Sequence, residues 1–193
     1  MRPDDLDAVS AMFGRAFEDD PVMEHVFGPH ANMLEDCTRL YRMFCGSHIS
    51  SGESLVGDDV AGAALWAPPG TWRLGWSTQL RLAPRLLRLL KGRSLSVLRD
   101  FTRLEHVHAA MPLDHWYLSV LGTDPPRQGQ GVGAAVMAPV LERCDEFAQG
   151  AYLESSKEAN VPYYRRFGFE VVEPFRFTNG PLIYPMWRDP QPA

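Results

Sequence analysis

Residues 127–136 read RQGQGVGAAV, in which three glycines alternate with other residues before a run of small side chains. Glycine at this density costs backbone entropy, so a chain keeps it where a turn or a close approach requires it. The preceding stretch, 115–121 (HWYLSVL), predicts a β-strand, and the following one predicts a helix from about Gly131 to Gln149. A strand, a glycine loop and a helix N-terminus predict an anion site, because free amides and the helix dipole converge there.

Three phosphate-binding designs compete for this loop. A P-loop is excluded because the chain contains no GxxxxGK[ST] sequence. The dinucleotide fingerprint GxGxxA is matched by Gly129, Gly131 and Ala134, with Glu154 at a suitable distance downstream. However, DPPRQ stands between the strand and the first glycine, and fewer than forty residues follow Glu154, too few for a doubly wound sheet. A glycine-rich turn that only permits close packing is the structural alternative.

The third design accounts for a longer part of the chain. The sequence QGQGVG matches the Q/RxxGxG/A loop of the GNAT superfamily of acyl-CoA-dependent N-acetyltransferases, and HWYLSVLGTDPP resembles the strand and turn before it. AYLESS and NVPYYRRFGF resemble the second signature of the superfamily. Within the superfamily these segments most resemble puromycin N-acetyltransferase and its bacterial relatives, clearly over 115–170 and more loosely before it.

This resemblance implies an α/β fold, with a mixed, mostly antiparallel sheet whose central strand pair is splayed and flanked by helices. The superfamily normally begins with a β-strand that ends in Arg-Pro. Here Met1-Arg-Pro begins almost inside that position, so we expect the first strand to be missing or truncated. We expect residues 1–193 to form one domain, with residues 70–112 as a helical insertion over the acceptor site.

The resemblance also implies how acetyl-CoA is held. Backbone amides of the loop bind the pyrophosphate, Arg127 and Gln128 add side-chain donors, and Arg127 pointing to solvent is the alternative. Backbone groups of the splayed strand pair with the pantetheine arm, and the amide near Leu121 polarises the thioester carbonyl. The implied cofactor-binding residues are Leu121, Gly122, Thr123, Arg127, Gln128, Gly129, Gln130, Gly131, Val132, Gly133, Ala134, Asn160 and Tyr164.

Three side chains are candidates for the chemistry itself. Tyr164 lies four residues before Gly168, at the superfamily's tyrosine position, and a phenol is well matched to protonating an alkanethiolate. Tyr163 is its neighbour, turned away by about 100° on a helix. Asn160 matches an asparagine that makes a hydrogen bond to the pantetheine arm in the superfamily. Capping the short helix is its alternative role. Glu154 ends a central strand and has three candidate roles: a base, a carboxylate that attracts a cationic substrate, or a salt-bridged structural residue. Ordered water is the alternative base.

The acceptor side is less defined by sequence. Trp66 and Trp72, together with Trp76 and Phe101, predict an aromatic pocket, with closure of the core as the alternative for each tryptophan. The leucine and arginine pattern at 80–93 predicts an amphipathic helix whose basic face is solvated, rather than a membrane-binding one. His106 and His108 form an HxH pair without an evident third ligand, so we expect no metal.

Composition limits the class of function. The net charge is −5, which argues against nucleic-acid binding, and no apolar run approaches the roughly 18–20 residues that span a membrane. The start MRPDDLDAV lacks the features of a signal peptide, and three scattered cysteines without a CxxC pair indicate reduced thiols in a cytoplasm. The leading hypothesis is therefore an acetyl-CoA-dependent enzyme, monomeric or homodimeric, that acetylates a small primary amine, plausibly an antibiotic or metabolite in a bacterium. Acetylation of a protein lysine or N-terminus, and a catalytically idle CoA-binding module, are the alternatives.

Overall fold

The computed structural model describes residues 1–28, 32–51, 53–73, 75–90 and 93–192. Over these ranges the helices are α1 (Leu6–Ala16), α2 (Pro21–Phe27), α3 (Met33–Ser51), α4 (Trp76–Leu89), α5 (Ser94–Ala109), α6 (Val132–Glu146) and α7 (Val161–Arg165). The strands are β1 (Glu53–Val56), β2 (Gly62–Ala67), β3 (His115–Thr123), β4 (Gly150–Ser155), β5 (Glu170–Val171), β6 (Phe175–Arg176) and β7 (Leu182–Arg188).

The strands form a seven-stranded sheet in the order β1-β2-β3-β4-β7-β5, with β6 pairing to β7 outside this path. Neighbouring strands are antiparallel except β3 and β4, which are parallel. The chain reaches β4 from β3 through α6, as a parallel connection requires. The predicted mixed, mostly antiparallel sheet is confirmed.

The central strand pair separates partway along its length. Residues 115–118 of β3 pair with residues 150–153 of β4, and the pairing stops there. Beyond that point β3 stays on β2 as far as Thr123, and β4 stays on β7 as far as Ser155. One edge of residues 119–123 therefore faces a gap between the two strands, which confirms the predicted splay.

The sheet separates two hydrophobic cores. Ala63 and Leu65 of β2 pack with α1, α2 and α3, whereas Ala64 and Trp66 pack with α6 and Tyr164 of α7. This alternation follows from the two-residue period of a strand, and it is hidden in the sequence because both faces of β2 are buried. Each face of the gap therefore carries its own set of side chains.

The N-terminal segment differs from the superfamily pattern as expected. Residues 1–28 are all described, and they contain no strand before α1. Instead the amino group of Met1 donates a hydrogen bond of 2.6 Å to the Ser54 carbonyl on the edge strand β1.

Two elements were not predicted from the sequence. Helix α2 begins at Pro21, and the Asp20 side chain caps it by accepting from the amides of Val22 and Met23. Strand β6 is only two residues long, as is β5. Helices α4 and α5 both lie within residues 70–112. In the described part of the chain, no helix combines the length and apolarity needed to cross a bilayer.

Candidate active site

The glycine loop leads from β3 into α6 and leaves its amides free. Gly129 and Gly131 have φ of +74° and +82°, a region that L side chains rarely adopt, and Gly131 is the N-cap of α6. Within the described residues, the backbone amides of residues 129–134 donate no hydrogen bond. These amides and the α6 dipole form a site for an anion.

Tyr163 adds a hydroxyl to this site that sequence reasoning had not assigned. The hydroxyl is buried and has no hydrogen-bond partner among the described residues. A Cβ atom placed on Gly133 would lie 2.7 Å from this oxygen, so Tyr163 reaches the first turn of α6. Two adjacent tyrosines look alike in sequence, and only the helix geometry separates the residue at the loop from the one in the core.

The loop is anchored to the N-terminal half. Arg15 of α1 makes a bidentate ion pair with Asp124, with nitrogen–oxygen distances of 2.8 and 2.9 Å. The Gln128 and Gln130 side chains donate to the carbonyls of Thr123 and Pro126, at 3.4 and 3.1 Å. Arg127 lines an open cavity of about 230 Å³ beside the loop. The remaining lining residues are Gly57, Asp58, Ala61, Gln130, Gly131, Val132, Ala135 and Val136.

Strand β3 contains a bulge in its pairing with β2 where its other edge becomes free. Leu65 pairs with Val120 and Trp66 with Leu118, so Ser119 is an extra residue at the point where β3 leaves β4. Leu121, Gly122 and Thr123 follow on this free edge. A Cβ atom on Gly122 would lie 2.7 Å from the Phe13 ring, so a glycine lets α1 approach the strand.

Tyr164 lies on the α6 side of the sheet. Only 9% of it is exposed, and it packs with Leu153 and Phe169 in the core beneath α6. Burial, with smaller contributions from Tyr163 and Asp20, raises the pKa of its phenol, which therefore stays protonated at neutral pH. Asn160, by contrast, is exposed at the N-cap of α7 and makes no capping hydrogen bond with its side chain.

Glu154 lies on the opposite face. It follows Leu153 on β4, so its side chain leaves the sheet on the side away from α6. The Tyr117 hydroxyl donates to its Oε2 at 2.7 Å. Burial raises the pKa of Glu154 to about 7, against the opposing effects of the Tyr117 and Tyr152 hydroxyls. A carboxyl group with this pKa takes up and releases protons near neutrality.

Two histidines and an aromatic wall surround Glu154. His108 Nδ1 lies 3.8 Å from Glu154 Oε1, and His108 Nε2 lies 2.9 Å from His115 Nε2. The His108 ring is stacked on Trp72 at 3.9 Å and on Tyr152 at 4.3 Å between ring centroids. The HxH pattern drew attention to His108, but no sequence signal links it to Glu154, 46 positions downstream in the chain.

Comparison with known proteins identifies the family. Residues 105–189 match the GNAT acetyltransferase domain family. The uncharacterized N-acetyltransferase C550.08 of Schizosaccharomyces pombe is 30% identical over 204 aligned positions, covering 97% of this chain and 81% of the relative. The chain belongs to the GNAT acetyltransferase family.

Solved structures share the fold across almost the whole GNAT chain. A structure described as histone acetyltransferase HPA2 and related acetyltransferase, from Corynebacterium glutamicum, has a TM-score of 0.71 at 20% identity and covers 100% of this chain and 95% of its own. The polyamine N-acetyltransferase of Drosophila melanogaster has a TM-score of 0.63 at 13% identity and covers 98% and 97%. At these identities the likeness shows the fold alone. The protein is an acetyltransferase, and enzymes of this family generally use acetyl-CoA.

The residues of this GNAT chain fit acetyl-CoA. The amides at 129–134 and the Tyr163 hydroxyl, which have no partner among the described residues, are donors that a phosphate group could accept from, and the strand gap leaves one edge of β3 unpaired beside them. Across the described residues, no group of three or more His, Cys, Asp or Glu side chains is placed to hold a metal ion.

The predicted aromatic pocket is only partly assembled. Trp66 is fully buried in the core beneath α6 and therefore does not reach the face of the sheet that carries Glu154. This position corrects its assignment to substrate binding. Trp72 does lie on that face, half-buried against His108. Phe101 packs on Phe177 instead, and the side chain of Trp76 lies outside the described part of the structure.

Proposed function

We propose that this protein is an acetyl-CoA-dependent N-acetyltransferase for a small primary amine, with Glu154 as the base and Tyr164 as the acid. The observation that supports this most is the placement of two buried proton-transfer groups on opposite faces of the strand gap. The base faces the acceptor side and the acid faces the α6 side. A thioester held in the gap would lie between them.

The loop and the gap hold the acetyl donor in this proposal. Amides 129–134 bind the pyrophosphate, with Arg127, Gln128 and the Tyr163 hydroxyl as additional donors. Leu121, Gly122 and Thr123 offer backbone groups to the pantetheine arm, and the exposed Asn160 bonds it farther along. The amide near Leu121 polarises the thioester carbonyl.

Two residues move the protons. Bound acetyl-CoA supplies the acetyl thioester, whose carbon–sulfur bond is exchanged for a carbon–nitrogen bond while the sulfur leaves as a thiol. Glu154 takes one proton from the ammonium group of the amine and thereby makes the nitrogen nucleophilic. Tyr164 gives its phenolic proton to the departing sulfur and regains one from the newly bonded nitrogen. The net change is one proton released through Glu154.

The acceptor face favours a small cationic amine. A single buried carboxylate sits among Trp72, His108, Tyr117 and Tyr152, so a compact ammonium group is attracted while bulk water is excluded. Small-molecule amine acetyltransferases with this fold, and the resemblance of HWYL and LESS to puromycin N-acetyltransferase, support an antibiotic-like or metabolite amine. Within this proposal the chain works as one domain, monomeric or dimeric, in a reducing compartment such as the cytoplasm, where its three buried free cysteines stay reduced.

An acceptor screen tests the proposal. Thiol release from acetyl-CoA is measured with aminonucleosides, polyamines, arylalkylamines and a lysine peptide, and we expect turnover with a small amine. With that amine, Tyr164→Phe should lower kcat by about 10²-fold while leaving the Kd of CoA unchanged. Tyr163→Phe is the matched control on the same helix and should act on the Kd instead. Turnover of the peptide alone would transfer the activity to proteins, and no thiol release with any amine would favour a CoA-binding module.

A further inference from the structure

A hydrogen-bonded chain of two imidazoles runs from the back of Glu154 towards the surface. His115 Nδ1 makes a very short contact with the carbonyl oxygen of Pro112. Its other ring nitrogen faces His108 Nε2, and His108 Nδ1 faces Glu154 Oε1. The proposed proton transfers do not use these histidines, so their hydrogen-bonded arrangement requires another explanation.

The Pro112 carbonyl fixes the protonation of both rings. A carbonyl oxygen only accepts, so His115 carries its proton on Nδ1. Burial lowers the pKa values of both imidazoles, that of His108 to about 3 with additional repulsion from His115 and Arg73, so both rings are neutral. His115 Nε2 is then an acceptor, His108 donates to it from Nε2, and His108 Nδ1 remains unprotonated.

The distance to Glu154 agrees with this assignment. Two acceptors that face each other repel, and the 3.8 Å between His108 Nδ1 and Glu154 Oε1 exceeds hydrogen-bond length. The stacking of Trp72 and Tyr152 on either side of the ring keeps His108 from turning its nitrogen away. Glu154 Oε2 already accepts a hydrogen bond from Tyr117, whereas Oε1 faces the unprotonated His108 Nδ1, so a proton on Oε1 has an acceptor in front of it.

We propose that His108 and His115 are positioning residues that form a relay of fixed tautomers. This relay stabilises, on Glu154 Oε1, the proton that the carboxylate has taken from the amine. The proposal rests on Glu154 being the base. When the ammonium nitrogen loses its proton to Oε1, the new O–H bond donates to His108 Nδ1, and the repulsion between the two acceptors becomes an attraction. The imidazoles themselves gain and lose no proton.

Other charged and titratable groups act on this carboxyl, or on Tyr117 and His108 beside it, from each element around it. These are Tyr117 and His115 of β3, Tyr152 of β4, His108 and Glu105 of α5, and Arg73 before α4. Among the described side chains, the two histidines alone are linked to the Pro112 carbonyl, so changing His115 alters the tautomer of His108 without touching Glu154.

The first test is His115→Phe, which retains a ring beside Tyr152 and Trp187. His108 Nε2 then loses its acceptor, so we expect the ring to move its proton to Nδ1 and donate it to the Glu154 carboxylate. That bond favours the ionised form, and the acid limb of the kcat/KM profile should move to lower pH by about one unit. His106→Phe, on the exposed side of the same helix, should leave the limb in place. An unmoved limb in folded His115→Phe protein would overturn the proposal.

The second test does not depend on activity or on a variant that folds. Nitrogen-15 spectra of the wild-type imidazoles report which ring nitrogen carries the proton, and we expect Nε2 for His108 and Nδ1 for His115. A protonated His108 Nδ1 in the wild type would refute the relay. Full activity of Glu154→Gln would instead refute the assignment of the base, while the nitrogen spectra would still decide the tautomers.

Discussion

The glycine loop and the cluster around Glu154 lie on two sides of one strand gap, but they are built from different parts of the polypeptide. The loop is made of backbone amides from six consecutive residues, 129–134, that donate no hydrogen bond to any described residue. The Glu154 cluster is made of side chains from β3, β4, α5 and the segment before α4. Binding of the acetyl donor should therefore respond to backbone conformation, and proton transfer to side-chain identity.

The largest expected effect is that of a substitution at Glu154, which should change proton transfer and leave binding of the acetyl donor intact. Glu154→Gln keeps an oxygen for the Tyr117 hydroxyl but removes the base, so kcat/KM should fall by about 10²-fold. In the wild type kcat/KM should rise with pH through about 7, because only the carboxylate accepts a proton, and this limb should vanish in the variant. The Kd of CoA measured by calorimetry should not change. A limb that persists in Glu154→Gln would assign it to another group.

A smaller effect is expected from the backbone of the loop. Gly131→Ala places a side chain at φ of +82°, which costs about 1–2 kcal/mol unless the loop relaxes and its amides turn. Affinity for CoA should fall by about tenfold, with the pH profile of kcat unchanged. Gly70→Ala is the matched control, since Gly70 has φ of +74° and, like Gly131, open space where a Cβ would lie. Equal affinity losses in both variants would point to general destabilisation rather than to the loop.

The smallest effect concerns the contact that joins the N-terminal half to the loop. Arg15→Ala removes a half-exposed bidentate pair with Asp124, and such pairs are worth roughly 0.2–1 kcal/mol. Affinity for CoA should therefore fall by no more than about fivefold, and less at high salt. Arg39→Ala removes an exposed pair with Glu35, together with a 3.7 Å contact to Asp36, within α3 and serves as the control. A loss that is the same in both variants would mean that Asp124 does not need this anchor.

The difference between a loop of backbone amides and a cluster of side chains also explains which parts of the protein could be predicted. The loop was predictable because the positive φ at Gly129 and Gly131 favours glycine, and the glycines are visible in the sequence. The β3-α6-β4 order and the splay followed from the family resemblance of the segments around it. Trp66 was misassigned because β2 is buried on both faces, and its sequence does not show which residues face α6.

The cluster around Glu154 could not be predicted as a unit. Its members come from segments that approach only when the sheet is in register, with Tyr117 paired to Tyr152 and Glu154 two positions farther on the same face. Helix α5 then brings His108 over that face. No local spacing encodes such a meeting of separate segments, and the adjacent Tyr163 and Tyr164 diverge only once α7 has formed.

The contact between Gly133 and Tyr163 links the two signature segments of the chain into one mutational unit. A methyl group at position 133 would collide with the phenolic oxygen, while loss of that oxygen would make room for it. Substitutions at the two positions are therefore not expected to be additive, and a side chain gained on α6 is tolerated only when α7 gives up its hydroxyl. Natural and designed relatives of this enzyme should accordingly exchange these two residues together rather than singly.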